Sequence, residues 1–180
     1  MDVTDLIVTG YSVLTVLGQG ILLILLWFLL FAPEATFLRW ARAHALPLML
    51  VVAVLGTLGS LYFSEVAGWT PCKFCWYQRI FLYPQVILLG IALIRRDRAV
   101  ASYVLVLSCI GLLIALLHYK EQVVAMLFPP DALVPCDETG VSCARTPFFH
   151  FGYITIPMMA ATAFALNIAG SALLLQKRKL

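Results

Sequence analysis

The segment TPCKFCWYQRIFLYPQVILLGIALI, residues 70–94, passes from a Cys-x-x-Cys pair straight into an apolar run. Trp76–Ile94 has the length of a membrane crossing, with Gln78 and Arg79 as the polar residues near its start. Four more stretches flank it. Tyr11–Phe31 has no charge in 21 residues, Leu46–Phe63 none in 18, Ala99–Leu117 none in 19 and Ile154–Leu175 none in 22. A crossing needs about 20 apolar residues, so the pattern predicts five transmembrane helices and an all-α membrane protein. Composition agrees: of 180 residues 63% are hydrophobic and 12% charged, with mean hydropathy +0.99. A soluble domain carries about a quarter charged residues, and barrel strands would be shorter and alternating. Both classes are excluded.

The chain opens MDVTD, with two acids and no basic segment before a long apolar stretch. That pattern favours a retained first helix over a cleaved signal peptide. Eight of the twelve basic residues fall in three segments: the 33–45 turn with Arg39 and Arg42, RRDR at 95–98, and the QKRK tail. The other side has Lys73, Arg79, Lys120 and Arg145 against seven acids. The positive-inside rule then puts the N-terminus outside, the C-terminus in the cytoplasm, and the loops at 64–75 and 118–153 outside. The net charge of +3 reflects this topology and does not point to nucleic acid.

The topology gathers Cys72, Cys75, Cys136 and Cys143 on the outward face, where disulfides form and persist. Cys109, within LVLSCIGLL, reads as a small buried apolar residue. Three readings of the outward four stand open: two structural disulfides, a four-cysteine zinc site, and a redox relay. The surroundings favour the relay. Pro71 suits the start of a helix at or near Cys72, so both thiols fall in a first turn whose free N–H groups stabilise a thiolate. Arg79 follows Cys75 by four residues and shares its helix face. It either snorkels to the headgroups or donates to a carbonyl of a lipid-soluble oxidant, and a quinone fits that position. The second pair, in VPCDETGVSCARTPFF, has six residues between its cysteines. So small a ring does little for a fold, and an exposed, mobile pair suits an encounter with another protein. Upstream, HYKEQVVAMLFPP places Val123, Val124, Leu127 and Phe128 on one face of an expected short interfacial helix.

Together LGSLYFSE (58–65), PCKFCWYQRIFLYP (71–84), HYKEQ (118–122), PCDETGVSC (135–143) and FGYITIP (151–157) resemble the DsbB/BdbC family of disulfide-bond formation membrane proteins, most of all its short BdbC-like type. The likeness covers about residues 50–175. It implies a four-helix bundle that reoxidises a thioredoxin-fold thiol oxidase (DsbA- or BdbD-like) and passes the electrons to a quinone, ubiquinone or menaquinone. By position, Cys72 and Cys75 resemble the quinone-coupled pair, with Cys75 as the thiolate that engages the quinone. Arg79 matches the family's quinone-site arginine, and Gln78 and His118 are expected beside it. Cys136 is expected to face the partner and Cys143 to exchange with Cys72. No metal is expected. Residues 46–180 would form the bundle, and 1–45 an added helix and turn without counterpart in the four-helix pattern. Vitamin K epoxide reductases, another quinone-linked bundle, place their loop pair before the CxxC; here that order is reversed. The non-enzymatic alternative is a zinc- or disulfide-stapled membrane subunit, separable by thiol counting and metal analysis.

Overall fold

The structure, a computed structural model, describes residues 2–128, 136 and 141–176. Its five helices are α1 (Val3–Phe31), α2 (Thr36–Leu61), α3 (Lys73–Arg95), α4 (Val100–Leu127) and α5 (Ile156–Leu175), and a π-helical turn, Tyr62–Val66, extends α2. All five are long and apolar enough to cross a membrane. Among the described residues the only strand-like pairing is an isolated bridge between His150 and Ile154. The protein is thus a multi-pass helical membrane protein, as the apolar stretches predict.

Helix α5 packs against α4, α2 and α1, while α3 packs on α2 and α4. One apolar cluster joins Met49, Ala53, Leu89 and Val104 of α2, α3 and α4. Another joins Leu82, Ala115, Ala161 and Phe164 of α3, α4 and α5. Between helices in lipid the drive to associate comes from close packing and hydrogen bonds, with small residues at the contact. Gly111 of α4 lies directly against the Phe164 ring, and a Cβ there would clash with it. Gly111→Val is therefore expected to destabilise the bundle by about 1–3 kcal/mol. Thermal unfolding in detergent checks this, with Gly90→Val, whose Cβ would meet nothing, as the tolerated control. At mid-helix depth the fully buried Gln85 accepts from Asn167 (2.8 Å) and Ser108 (3.3 Å), tying α3, α5 and α4 together.

Three expectations change. Residues 33–45 are not all turn: α2 begins at Thr36, so Arg39 and Arg42 lie on it. The segment TFLRWARAHAL is rich in helix formers. The interfacial helix expected after His118 is instead the continuation of α4, which runs unbroken to Leu127 because no breaker comes before Pro129. Cys109 is exposed on the bundle surface rather than buried. The expectations that rest on Asp131, Asp137, Glu138 and the QKRK tail beyond Gln176 lie outside the described residues.

The connections leave Cys72, Cys75, His118 and Cys143 at one end of the bundle and Arg39, Arg42, Arg95, Arg96 and Arg98 at the other. A tight turn leads into α5: Phe151 and Gly152 both have positive φ (51° and 76°), and Tyr153 N–H donates to the His150 carbonyl at 3.1 Å. Two consecutive positive φ values define a type I′ turn, which favours glycine in its second central position.

Candidate active site

Cys72 is the N-cap of α3, and its sulfur accepts from the Cys75 backbone N–H at 3.4 Å. The two sulfurs are 3.1 Å apart, Cys72 buried and Cys75 partly so. His118, only 2% exposed, reaches the pair from α4. Its Nδ1 is 3.0 Å from the Gln78 amide nitrogen. With that amide donating, the ring proton sits on Nε2, which lies 3.1 Å from the Cys143 carbonyl and 3.6 Å from the Cys72 sulfur. Phe74 stacks on the imidazole at 5.5 Å. Hydrogen bonding from the Cys75 thiol pulls the Cys72 thiol down to about 4, against the effect of burial and with help from His118. A group depressed in this way keeps its anion as pH falls, and the stability it gives the reduced protein, full above the ordinary thiol pKa, is lost progressively as pH falls from there to about 4. Alkylation of Cys72 in the reduced protein is thus expected to hold its rate from neutral pH to about pH 5, where an ordinary thiol (pKa about 8.5) loses tenfold per unit. Peptide-mapped alkylation rates measure this. A fall beginning near the ordinary thiol pKa would refute it.

The second pair, Cys136–Cys143, is joined by a disulfide. It departs from the expected exposed pair: Cys136 is half-buried, but Cys143 is only 4% exposed. The cause is the end of α4. His118 contacts the Cys143 carbonyl, and Gln122, one turn later, donates to the Arg145 carbonyl at 3.2 Å. Cys143 is thereby held against the helix end that also contacts Cys72.

Arg79 turns inward. It is 9% exposed, its Nε donates to Ser60 Oγ and an Nη to the Ser60 carbonyl, each at 3.0 Å, and Tyr83 OH donates to the same Oγ at 3.1 Å. Its guanidinium lies over the Trp76 ring, 5.1 Å from the centroid. No carboxylate pairs with it among the described residues. A cation desolvated without an anion is costly, and here its partners are the neutral oxygens of Ser60. A cavity of about 520 Å³ with a mixed lining contains Cys72, His118, Gln122 and Arg145 in its wall. An apolar groove of about 340 Å³ continues from it between α1, α2 and α5. Ser60, Phe63, Cys75, Arg79 and Ile156 belong to both walls.

These residues suit a ligand with a polar, electron-accepting head and an apolar body. The buried carbonyl oxygen of the Gln122 side chain, which has no hydrogen-bond partner, adds a polar group to the cavity wall. For a metal, the Cys72, Cys75 and His118 ligand atoms lie within 4.8 Å of one another. While the Cys136–Cys143 bond is formed, those two sulfurs are not available as ligands for a four-cysteine site. All seven residues singled out from sequence, Cys72, Cys75, Gln78, Arg79, His118, Cys136 and Cys143, lie in this one region. Sequence reasoning missed Ser60, Tyr83 and Gln122. Gln122 was accessible from its spacing, four residues after His118 on the same helix face. Ser60 and Tyr83 carried no such signal.

The family profile described as "Disulfide bond formation protein DsbB" matches residues 41–175. "Disulfide bond formation protein C" of Bacillus subtilis is 47% identical over 118 residues, 66% of this chain and 83% of the relative. "SPbeta prophage-derived disulfide bond formation protein B" of the same organism is 40% identical over 143 residues, 79% of this chain and 93% of the relative. "Probable disulfide formation protein C 1" of Bacillus anthracis is 42% identical over 130 residues, 69% and 86%. No solved structure shows significant similarity to the chain. The profile match begins within α2 and leaves α1 wholly outside it.

Proposed function

This chain belongs to the DsbB family of disulfide bond formation proteins, membrane disulfide oxidoreductases, and from that premise we propose that it oxidises a thioredoxin-fold thiol oxidase, DsbA- or BdbD-like, at the expense of a membrane quinone. The observation that carries the reading is the position of Cys75 and Arg79 in the wall shared by the cavity of mixed lining and the apolar groove. A bound ubiquinone or menaquinone supplies an acceptor for two electrons and two protons. Its potential must exceed that of the partner, about −120 mV for a DsbA-like protein.

The residues divide the work as follows. A thiolate of the reduced partner attacks Cys136, the more accessible sulfur of its pair, and releases Cys143 as thiolate. Cys143 attacks Cys72 within an oxidised Cys72–Cys75 pair and releases Cys75. The partner's second thiol then attacks its own mixed-disulfide sulfur, leaving with an intramolecular disulfide and freeing Cys136. Cys136 attacks Cys143, restores the loop disulfide and expels Cys72. The low pKa of Cys72 makes it the better leaving group in that last step. The partner's two electrons now reside on the thiols of Cys72 and Cys75, and Cys75 hands them on beside Arg79. Gln78 orients His118, which keeps its Nε2 proton toward Cys72 and stabilises the thiolate. The charge bias sets the N-terminus and the redox residues outside the cytoplasm. Helices α2 to α5 form the redox bundle, and α1 with the turn at 32–35 is an addition to it.

The test is anaerobic mixing of reduced protein with menaquinone or ubiquinone. One quinone is expected to be reduced for each thiol pair lost from Cys72 and Cys75, with no metal bound. Thiols that persist through complete mixing would overturn the assignment.

A further inference from the structure

Resting on the quinone reading above, we propose that α1 is the outer wall of the channel that holds the quinone's isoprenoid tail, so that this added helix confers preference for prenylated over tail-less acceptors.

Helix α1 docks firmly on one neighbour and barely on the other. Against α5 and the turn before it, Gln19 donates to Thr162 at 3.2 Å, Tyr153 donates to Gln19 at 2.6 Å, and Ser12 lies 3.2 Å from His150 Nδ1. The α1 backbone approaches α5 closely at Gly18, where a Cβ would come within 3.1 Å of Leu166 and Thr162. Against α2 the contact is thin. Tyr11 spans the gap near the cysteine end, its ring against Gly59 and its hydroxyl donating to the Leu55 carbonyl at 2.9 Å. Between Tyr11 and Leu25, where α1 meets Leu38 and Ala41 of α2 again, the two helices stand apart, and the space between them is the apolar groove, walled by Leu14, Leu17 and Ile21 on one side and Val52 and Gly56 on the other.

Three observations select the occupant. The groove shares Cys75 and Arg79 with the redox cavity, so a head placed at Arg79 leads its body directly into it. From Tyr11 to Ile21 the α1 wall extends about 15 Å at 1.5 Å per residue, the dimension of a flexible chain rather than of a single ring. Leu14, Leu17 and Ile21 each expose about half their surface, so their apolar area is left for something other than protein to cover. A lipid acyl chain covers it as well, but brings no group for the Arg79 cation at the groove's mouth, with which no carboxylate among the described residues pairs.

The test uses the full-length protein and two substrate pairs: menadione against a prenylated menaquinone, and tail-less against prenylated ubiquinone. Wild type is expected to show the lower KM for the prenylated member of at least one pair. Leu17→Trp and Ile21→Trp, which fill the groove, should each shrink that preference by roughly tenfold, about 1.4 kcal/mol. A quinone carrying a photoreactive tail should label peptides from 11–21 in wild-type protein, which keeps the question answerable if either variant fails to fold. Equal KM values within each pair in wild type, undiminished preference in folded variants, or labelling confined to α3 and α4 would overturn the inference while leaving quinone reduction intact. So would a phospholipid that remains bound through turnover in native mass spectra. Failure of wild type to reduce any of the four would overturn the quinone reading itself, and this inference with it.

Discussion

Turnover with quinone is expected to fall on the order of 10³-fold or more in Cys75→Ser, the scale on which removal of a covalent catalytic group is felt in other enzymes. A serine oxygen forms no disulfide, so the Cys72–Cys75 pair can no longer be made and Cys72 is left without its resolving partner. Exchange at the other pair needs neither sulfur, so a mixed disulfide between Cys136 and the reduced partner should still form. Without partner, the Cys72 thiolate, held by His118 near Cys143, should instead attack Cys143 within the loop disulfide, forming a Cys72–Cys143 bond and releasing Cys136 as the thiolate. A serine hydroxyl can still donate to the Cys72 thiolate, so the Cys72 alkylation profile should stay near wild type in Cys75→Ser and move to higher pH in Cys75→Ala, which removes the hydrogen bond that chiefly lowers its pKa. Stopped-flow quinone reduction, nonreducing electrophoresis and peptide-mapped alkylation report the three effects separately. Turnover at the wild-type rate would remove Cys75 from the electron path.

Arg79 gives the second large effect, and its geometry makes the outcome specific. The guanidinium uses two nitrogens on one residue, Ser60, through hydroxyl and carbonyl together. Lysine, a mobile point charge, cannot reproduce that fork. A hydrogen bond to a charged group contributes about 1.5–3 kcal/mol, and about 1.4 kcal/mol is tenfold in affinity. Arg79→Lys should therefore raise the apparent KM for quinone by about tenfold and Arg79→Met by about 100-fold. Formation of the Cys136 mixed disulfide with the partner should be unaffected in both. Steady-state kinetics with varied quinone decide the matter, accompanied by melting curves. If KM and kcat hold while the melting temperature drops, Arg79 is a tie between α3 and α2 and nothing more.

The five crossings were legible because each is an uninterrupted apolar run, and the CxxC at the start of α3 was legible because Pro71 and the onset of hydrophobicity mark the same boundary. Membership of the family was legible from its motifs. Helix faces were not. When a helix is apolar all round, sequence periodicity does not say which side meets protein, and so Cys109 was assigned to the interior although it lies on the surface. The inward turn of Arg79 was hidden for a different reason. It depends on Ser60, 19 residues away on another helix, and an isolated serine in an apolar run announces no partner. The burial of Cys143 likewise follows from α4 extending to Leu127, which brings His118 and Gln122 under a loop that reads as free.

The buried amide of Gln85, with Asn167 and Ser108 around it, bears on how the protein is made. Helix α3 carries Gln78, Arg79 and Gln85 and is the least apolar of the five spans. Each of these side chains is costly in lipid until it finds a partner. Arg79 finds Ser60 on α2, already synthesised when α3 emerges. Gln78 must wait for His118 on α4, and Gln85 for Ser108 on α4 and Asn167 on α5. The helix that bears the thiols is thus the one least able to rest alone in the bilayer during biogenesis. The polar contacts of α3 are complete only once α4 and α5 have both been made.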